Sequence, residues 1–201
     1  MKLGPRYKIC KRLGSSIFEK CQTRSFALSK ERTSTKKTGR RNQSDFSRQL
    51  IEKQKLRLTY GLSEKQFATY VEKSLESATN PQATLFKMLE SRLDSVAYRM
   101  GLVGTRRAAR QLASHGHLLV NGKRITVPSH QVKEGDAVSI REGSKDSGLF
   151  TGLTEKLKEY KMPSWVTFDS DAKSGLLSTE PVFSDQDTTA DIGAVFEYYT
   201  R

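Results

Sequence analysis

Cysteine is nearly absent from this chain. Cys10 and Cys21 are the two present in 201 residues, too few for a disulfide framework. In a reducing compartment both are expected to be plain thiols. The ten residues between them do not match the close paired spacing of a zinc knuckle, and His115, His117 and His130 lie far away in sequence. No metal or other cofactor is expected. No run of about 18 apolar residues occurs, which argues against a membrane-spanning helix. The opening Met1-Lys2-Leu3-Gly4-Pro5-Arg6 lacks the apolar stretch of a secretory signal, so a soluble intracellular protein is expected. A phosphate-cradling glycine loop and a nucleophile beside its base are also missing, and no internal repeat is found. Acidic side chains are scarce at the front, with 2 in residues 1–44 against 13 basic ones.

Positive charge is what the chain does have. Lys and Arg number 35 against 22 Asp and Glu, for a net charge of +13. The excess is graded along the chain, at +13 over residues 1–61, +5 over 62–145 and −5 over 146–201. Such front-loading points to a nucleic-acid binder with a polyanion-seeking arm. A solubilising tail is the bland alternative. Membrane adsorption would call for a basic amphipathic helix with bulky apolar residues opposite.

Apolar residues thin out over 1–44, and none occurs from Ser29 to Asp45. The spacing predicts an extended arm there that orders on a phosphate backbone. Ser44 or Asp45 then starts a helix that runs to Tyr60 and stops at Gly61, with no clean apolar stripe. Ser63 and Gln66 form a capping box, with Leu62 and Phe67 as a hydrophobic staple. Asn80-Pro81 opens one long helix or two, ending at Gly101. Thr105 caps the next helix, on which Arg106, Arg107, Arg110 and Gln111 are expected on the face opposite Ala109 and Leu112. The period then changes to two, and Asn121-Gly122 predicts a type I′ turn between strands His117–Val120 and Lys123–Val127. A further strand is expected at Ala137–Ile140. The tail after about Asp146 reads as acidic and irregular, ending in a strand or helix at Ala194–Tyr199.

Two constellations compete for a function. Arg106, Arg107 and Arg110 on the helix, His115 and His117 at its end, and Lys123 and Arg124 after the turn would suit the phosphates and sugars of structured RNA. An ordinary solvated helix face is an equal reading from spacing alone. Arg92-Leu93-Asp94 resembles the surroundings of the catalytic aspartate of pseudouridine synthases. An exposed Arg and Asp flanking a core Leu is the preferred reading, so no enzyme is expected.

Residues 91–143, SRLDSVAYRMGLVGTRRAARQLASHGHLLVNGKRITVPSHQVKEGDAVSIREG, resemble the α-L RNA-binding module shared by pseudouridine synthases, some tyrosyl-tRNA synthetases and small stress proteins. The flanks narrow the resemblance. Glu52-Lys53-Gln54-Lys55-Leu56-Arg57, Tyr60-Gly61-Leu62-Ser63-Glu64-Lys65-Gln66-Phe67 and Phe196-Glu197-Tyr198-Tyr199-Thr200-Arg201 look like the bacterial-type family of ribosomal small-subunit protein four. Some members of that family bind zinc through four cysteines. Here Cys10 alone matches such a position, and Tyr7, Arg24 and Ser29 stand at the others, so the chain resembles the zinc-free form.

The resemblance implies an α+β fold, a helical domain with an inserted α-L module of two helices packed on a small, mostly antiparallel sheet, preceded by a basic extended arm. The expected segments are the arm at 1–44, the helical domain at 45–90 completed by about 186–201, the module at 91–145 and an irregular acidic extension at 146–185. The implied role is direct binding of 16S-type small-subunit ribosomal RNA at a helix junction of its 5′ domain. That binding would nucleate the subunit body and contribute to translational accuracy. Neighbouring small-subunit protein five is an implied partner; no membrane and no homo-oligomer are expected. The implied place is the cytoplasmic ribosome, with an organellar ribosome left open. Candidate RNA-binding residues are Arg106, Arg107, Arg110, Gln111, His115, His117, Lys123 and Arg124 on the module, then Arg48, Lys53, Lys55 and Arg57. Lys2, Arg6, Lys8, Lys11, Arg12, Arg40 and Arg41 are the candidates on the arm. The rivals are an RNA-modifying enzyme, which would need a catalytic domain larger than the tail after Asp146, and a stress-type binder, which would lack the long helical region before the module.

Overall fold

A computed structural model describes residues 3–34, 44–77, 80–145, 147–183 and 188–201. In chain order the helices are α1 (Arg6–Leu13), α2 (Arg24–Ser34), α3 (Asp45–Thr59), α4 (Glu64–Leu75), α5 (Pro81–Glu90), α6 (Leu93–Arg99), α7 (Arg106–Ser114), α8 (Leu153–Glu159) and α9 (Ile192–Tyr199). The strands are β1 (Leu118–Val120), β2 (Lys123–Arg124), β3 (Ala137–Ile140), β4 (Val166–Asp169) and β5 (Ser174–Leu177). The chain divides into two compact units, Met1–Gln82 with Ser184–Arg201, and Ala83–Phe183. No helix among the described residues is long and apolar enough to cross a membrane.

In the first unit, the stretch expected to be an extended arm is largely helical where it is described. Its apolar residues are few, but Cys10, Leu13, Ile17, Phe18, Cys21 and Phe26 converge on one cluster closed by Leu58 of α3. Concentrating so few side chains in one place is enough to fix two short helices against a longer one. Lys2, Arg40 and Arg41 lie outside the described residues.

Helix α3 has no clean stripe because it is covered on more than one side. Leu58 and Ile51 meet the N-terminal cluster. Gln49 donates to Glu197 of α9 at 2.9 Å. Helix α4 starts on the capping box expected of it, Ser63 Oγ accepting from Gln66 N and the Gln66 side chain accepting from Ser63 N. Its Phe67 is fully buried and meets the Tyr199 ring at 6.1 Å between centroids. The C-terminal segment, expected as strand or helix, is helix α9, capped by Asp191, whose Oδ1 accepts from Ala194 N.

In the second unit the long apolar run splits into α5 and α6. Arg92 has extended backbone between them and pairs in an antiparallel bridge with Gln131. Arg92 and Asp94, expected to be exposed, are 1% and 5% exposed. The guanidinium forks onto the carboxylate, Nε to Oδ1 at 2.9 Å and Nη2 to Oδ2 at 2.7 Å. Two opposite charges this close can leave water only together, which is why the pair is internal.

The sheet runs β2-β1-β3-β5-β4 and every neighbouring pair is antiparallel. Leu118 and Val120 of β1 face inward, in register with Ile140 and Val138 of β3. With Leu93, Val96, Ala97 and Met100 of α6 and Ala109, Leu112 and Ala113 of α7 they make the core. Each such fully buried Leu or Val contributes about 1.5–3 kcal/mol. The turn has the backbone expected of Asn-Gly, with φ of 50° at Asn121 and 77° at Gly122. Strand β2 stops at Arg124, short of the expected Val127.

The tail expected to be irregular adds α8 and the β4–β5 hairpin, with Phe150, Leu153, Trp165, Val166 and Leu177 joining the same core. These apolar residues are widely spaced, so they give little local periodicity. They gain order from the edge that β3 presents to β5. The fold is thus the mixed α+β class with two helices on a small antiparallel sheet.

Candidate nucleic-acid interface

Thr105 starts α7, its hydroxyl accepting from Ala108 N at 3.1 Å. Ala109, Leu112 and Ala113 bury one face. Arg107 and Gln111 stand exposed and Arg110 is half-buried. Arg106, expected on the same outward face, turns inward. Its Nη2 donates to Glu90 at 2.8 Å and its guanidinium lies 4.7 Å from the centroid of the Tyr98 ring. Glu90 is wholly buried and also takes two bonds from Arg99, each of 2.9 Å. Arg106 therefore compensates a buried carboxylate and is part of the framework.

The end of α7 carries the second group. His115 is exposed and His117 half-buried, their rings 6.0 Å apart. His117 is held below the ordinary value for histidine, first by burial and then by the positive charges of His115, Arg141 and Arg124. Lys123 and Arg124 are exposed on β2. The Arg124 guanidinium reaches back to donate to Gly116 O at 3.2 Å and His115 O at 3.1 Å, satisfying carbonyls at the end of the helix. Asn121 fixes the turn, donating to Asp136 at 2.8 Å and accepting from Ala137 N at 2.9 Å.

Two residues at this place escaped the sequence reading. Arg141 N donates to His117 O at 2.8 Å, and Arg141 Nε donates to Ser144 Oγ at 3.3 Å. Ser144 Oγ also meets His117 Nδ1 at 2.9 Å. The available signal was the pairing of β1 with β3, which sets residue 141 beside residue 117.

In the first unit, the four candidates of α3 separate. Arg48 is exposed. Lys53 is 4% exposed, bonded to Glu64 at 2.6 Å and 4.4 Å from the Tyr198 ring centroid. Lys55 pairs with Glu52 at 2.6 Å. Arg57 donates to Gln54 and to Leu62 O and forms an ion pair with Glu64. These three side chains are committed within the unit, so Lys53 in particular is withdrawn from any binding surface. On α1, Lys8, Lys11 and Arg12 are exposed and Arg6 half-buried, opposite the buried Cys10 and Leu13. Lys11 also donates to Ser29 at 2.8 Å. An exposed Tyr7 stacks on Phe26 with centroids 5.5 Å apart and has Lys20 5.5 Å from its own.

Exposed cations among polar groups on rigid elements can bind phosphates and sugar hydroxyls. Among the described residues no three His, Cys, Asp or Glu gather as a metal site.

Residues 2–90 match the family model described as Ribosomal protein S4/S9 N-terminal domain, and residues 91–138 match the S4 domain. The chain is 37% identical to the small ribosomal subunit protein uS4 of Natranaerobius thermophilus, over 98% of each chain. It is 36% identical to that of Thermotoga petrophila and 38% identical to that of Levilactobacillus brevis, again over 98% of each. With the two family models matching residues 2–90 and 91–138 and relatives this similar over nearly their whole length, the chain belongs to the small ribosomal subunit protein uS4 family.

Proposed function

We propose that this chain is a structural component of the small ribosomal subunit that binds 16S-type ribosomal RNA directly, at a helix junction of the 5′ domain. The observation that carries the reading is the exposed Arg107 and Lys123, with the half-buried Arg110 on the same helix as Arg107, fixed on α7 and the β1–β2 hairpin of the module matched as an S4 domain. The exposed Lys8, Lys11 and Arg12 of α1 and Arg48 of α3 supply a second cationic surface, and Arg6, Gln111 and His115 extend the two. Lys2, Arg40 and Arg41 belong to the same proposal on charge alone. The mechanism is scaffolding without chemistry. Pre-folded surfaces bind RNA helices without first losing their own entropy, and counterion release drives the association. Assembly of the subunit body from this complex, a contribution to translational accuracy and a contact with small-subunit protein five complete the proposal, with the cytoplasmic ribosome as the place of action.

The test is a titration of the full chain against the isolated 5′ domain, with transfer RNA as competitor at two salt concentrations. Binding that survives excess competitor at the higher salt supports the reading; binding abolished by the competitor overturns it. If about eight phosphates are neutralised, the slope of log affinity against log salt is about −7.

A further inference from the structure

The densest unclaimed chemistry lies around Ser144. This residue is 2% exposed, so its hydroxyl must find its partners inside the protein. Arg141 Nε can only donate, and it points to Ser144 Oγ at 3.3 Å. His117 Nδ1 lies 2.9 Å from the same oxygen. A hydroxyl has one hydrogen to give. If His117 Nδ1 also donated, that hydrogen would be left buried and unused. The arrangement that satisfies all three groups has Arg141 donating to Ser144 and Ser144 donating to His117 Nδ1. Neutral His117 then carries its proton on Nε2, which has no hydrogen bond among the described residues.

The charges around this imidazole come from every neighbouring element. His115 faces it from the end of α7, Arg124 from β2 and Arg141 from the end of β3. The following turn brings Lys145, paired with Glu142 at 2.9 Å. From the β4–β5 turn, Lys173 donates to Lys145 O at 2.9 Å. Together with burial, these charges lower the affinity of the imidazole for a proton.

We infer that His117, oriented by Ser144 and Arg141, is a binding site for a single RNA backbone phosphate, donating to it from Nε2 and taking up one proton from solvent when the phosphate arrives. The anion reverses the local field. The imidazolium that burial and the neighbouring His115, Arg141 and Arg124 disfavour becomes the favoured form beside a phosphate oxygen. Protonation turns Nδ1 into a donor, so the Ser144 hydroxyl gives up its bond to Nδ1 and accepts instead, a buried cost that the phosphate contact must offset. Ser144 and Arg141 are positioning residues, and His117 makes the contact. This inference rests on the RNA-binding reading above and names one contact and a proton within it.

The test measures affinity of the full chain for the isolated 5′ domain at about pH 6 and about pH 8 and constant ionic strength. One linked proton tightens binding by at most about tenfold per pH unit on the acid side. The native chain should bind several-fold more tightly at the lower pH. His117→Gln should still bind while losing most of that ratio. Nitrogen NMR shifts of the His117 ring in the free chain should report the Nε2–H form, and Ser144→Ala should mix the two neutral tautomers. An unchanged ratio in His117→Gln, or a native ring with its proton on Nδ1, overturns the inference and leaves the RNA-binding reading standing. Failure of the native chain to bind at either pH overturns that reading, and this one with it.

Discussion

Glu90 and Arg106 are joined at 2.8 Å across a step of 16 residues, the Glu90 side chain fully buried and that of Arg106 partly exposed. The pair ties the last residue of α5 to the first of α7, and Arg99 completes the compensation from α6. Removing the carboxylate would leave two guanidinium groups facing a site with no anion. Glu90→Ala is expected to destabilise the module by about 3–5 kcal/mol, read as a lowered urea midpoint. A loss below about 1 kcal/mol would mean that the pair behaves like a surface contact.

Lys53 and Arg107 should part company in paired measurements. Lys53 sits between Glu64 and the Tyr198 ring, so Lys53→Ala should lower the urea midpoint and leave the salt dependence of RNA binding unchanged. Arg107 is exposed, so Arg107→Ala should spare stability and flatten the salt slope by about one unit. The reverse pattern would exchange their roles.

The buried thiol of Cys21 should be inert. Burial, followed by its contact with Cys10, pushes it up to about 12, so hardly any thiolate exists at neutral or mildly alkaline pH. Iodoacetamide at about pH 8 should leave Cys21 unmodified in the folded chain and alkylate it in urea. Rapid alkylation without denaturant would show that the N-terminal cluster opens readily.

Acid should loosen the first unit through Glu64. Partial burial alone would raise its value, but donation from Lys53 and Tyr199, with the charges of Lys53 and Arg57, outweighs this and holds it below 4.5. A carboxylate lowered by folding stabilises fully above its unfolded value, and that contribution is lost as pH falls through the folded one. The urea midpoint should therefore drop below about pH 4.5, and Glu64→Gln should reduce that drop while lowering the midpoint near neutrality.

Gly116 has φ of +70°, and a Cβ there would meet Arg124 Nε at 2.3 Å. Gly116→Ala should cost at least about 1–2 kcal/mol for the left-handed backbone and dislodge Arg124 from the helix end. Thermal unfolding would register the first effect, and weaker RNA binding the second. An unaltered melting temperature would refute the steric argument.

What could be read from the sequence was what local chemistry decides. Ser63 with Gln66, Thr105 and Asn121-Gly122 each set their own backbone within a few residues, and the structure has all three as expected. The helices at 6–13 and 24–34 were missed because their order comes from a pooled cluster reaching Leu58, which no local window contains. Lys53 looked like a surface cation because its partners, Glu64 and Tyr198, arrive from elsewhere in the chain. On α7, helical spacing put Arg106 beside Arg110, but Glu90 drew it inward. Arg141 was invisible until the β1–β3 register was known.

The route of the chain through the first unit also has a consequence for its synthesis. Residues 83–183 are contiguous, so the module has all of its own parts once Phe183 has left the translating ribosome. Helix α3 must wait longer, because Gln49 and Lys53 find Glu197, Tyr198 and Tyr199 only after α9 has been made. Helix α3 is thus made before the module but completes its packing after it. Until then Lys53 has Glu64 at hand but lacks the Tyr198 and Tyr199 rings that cover it in the finished fold.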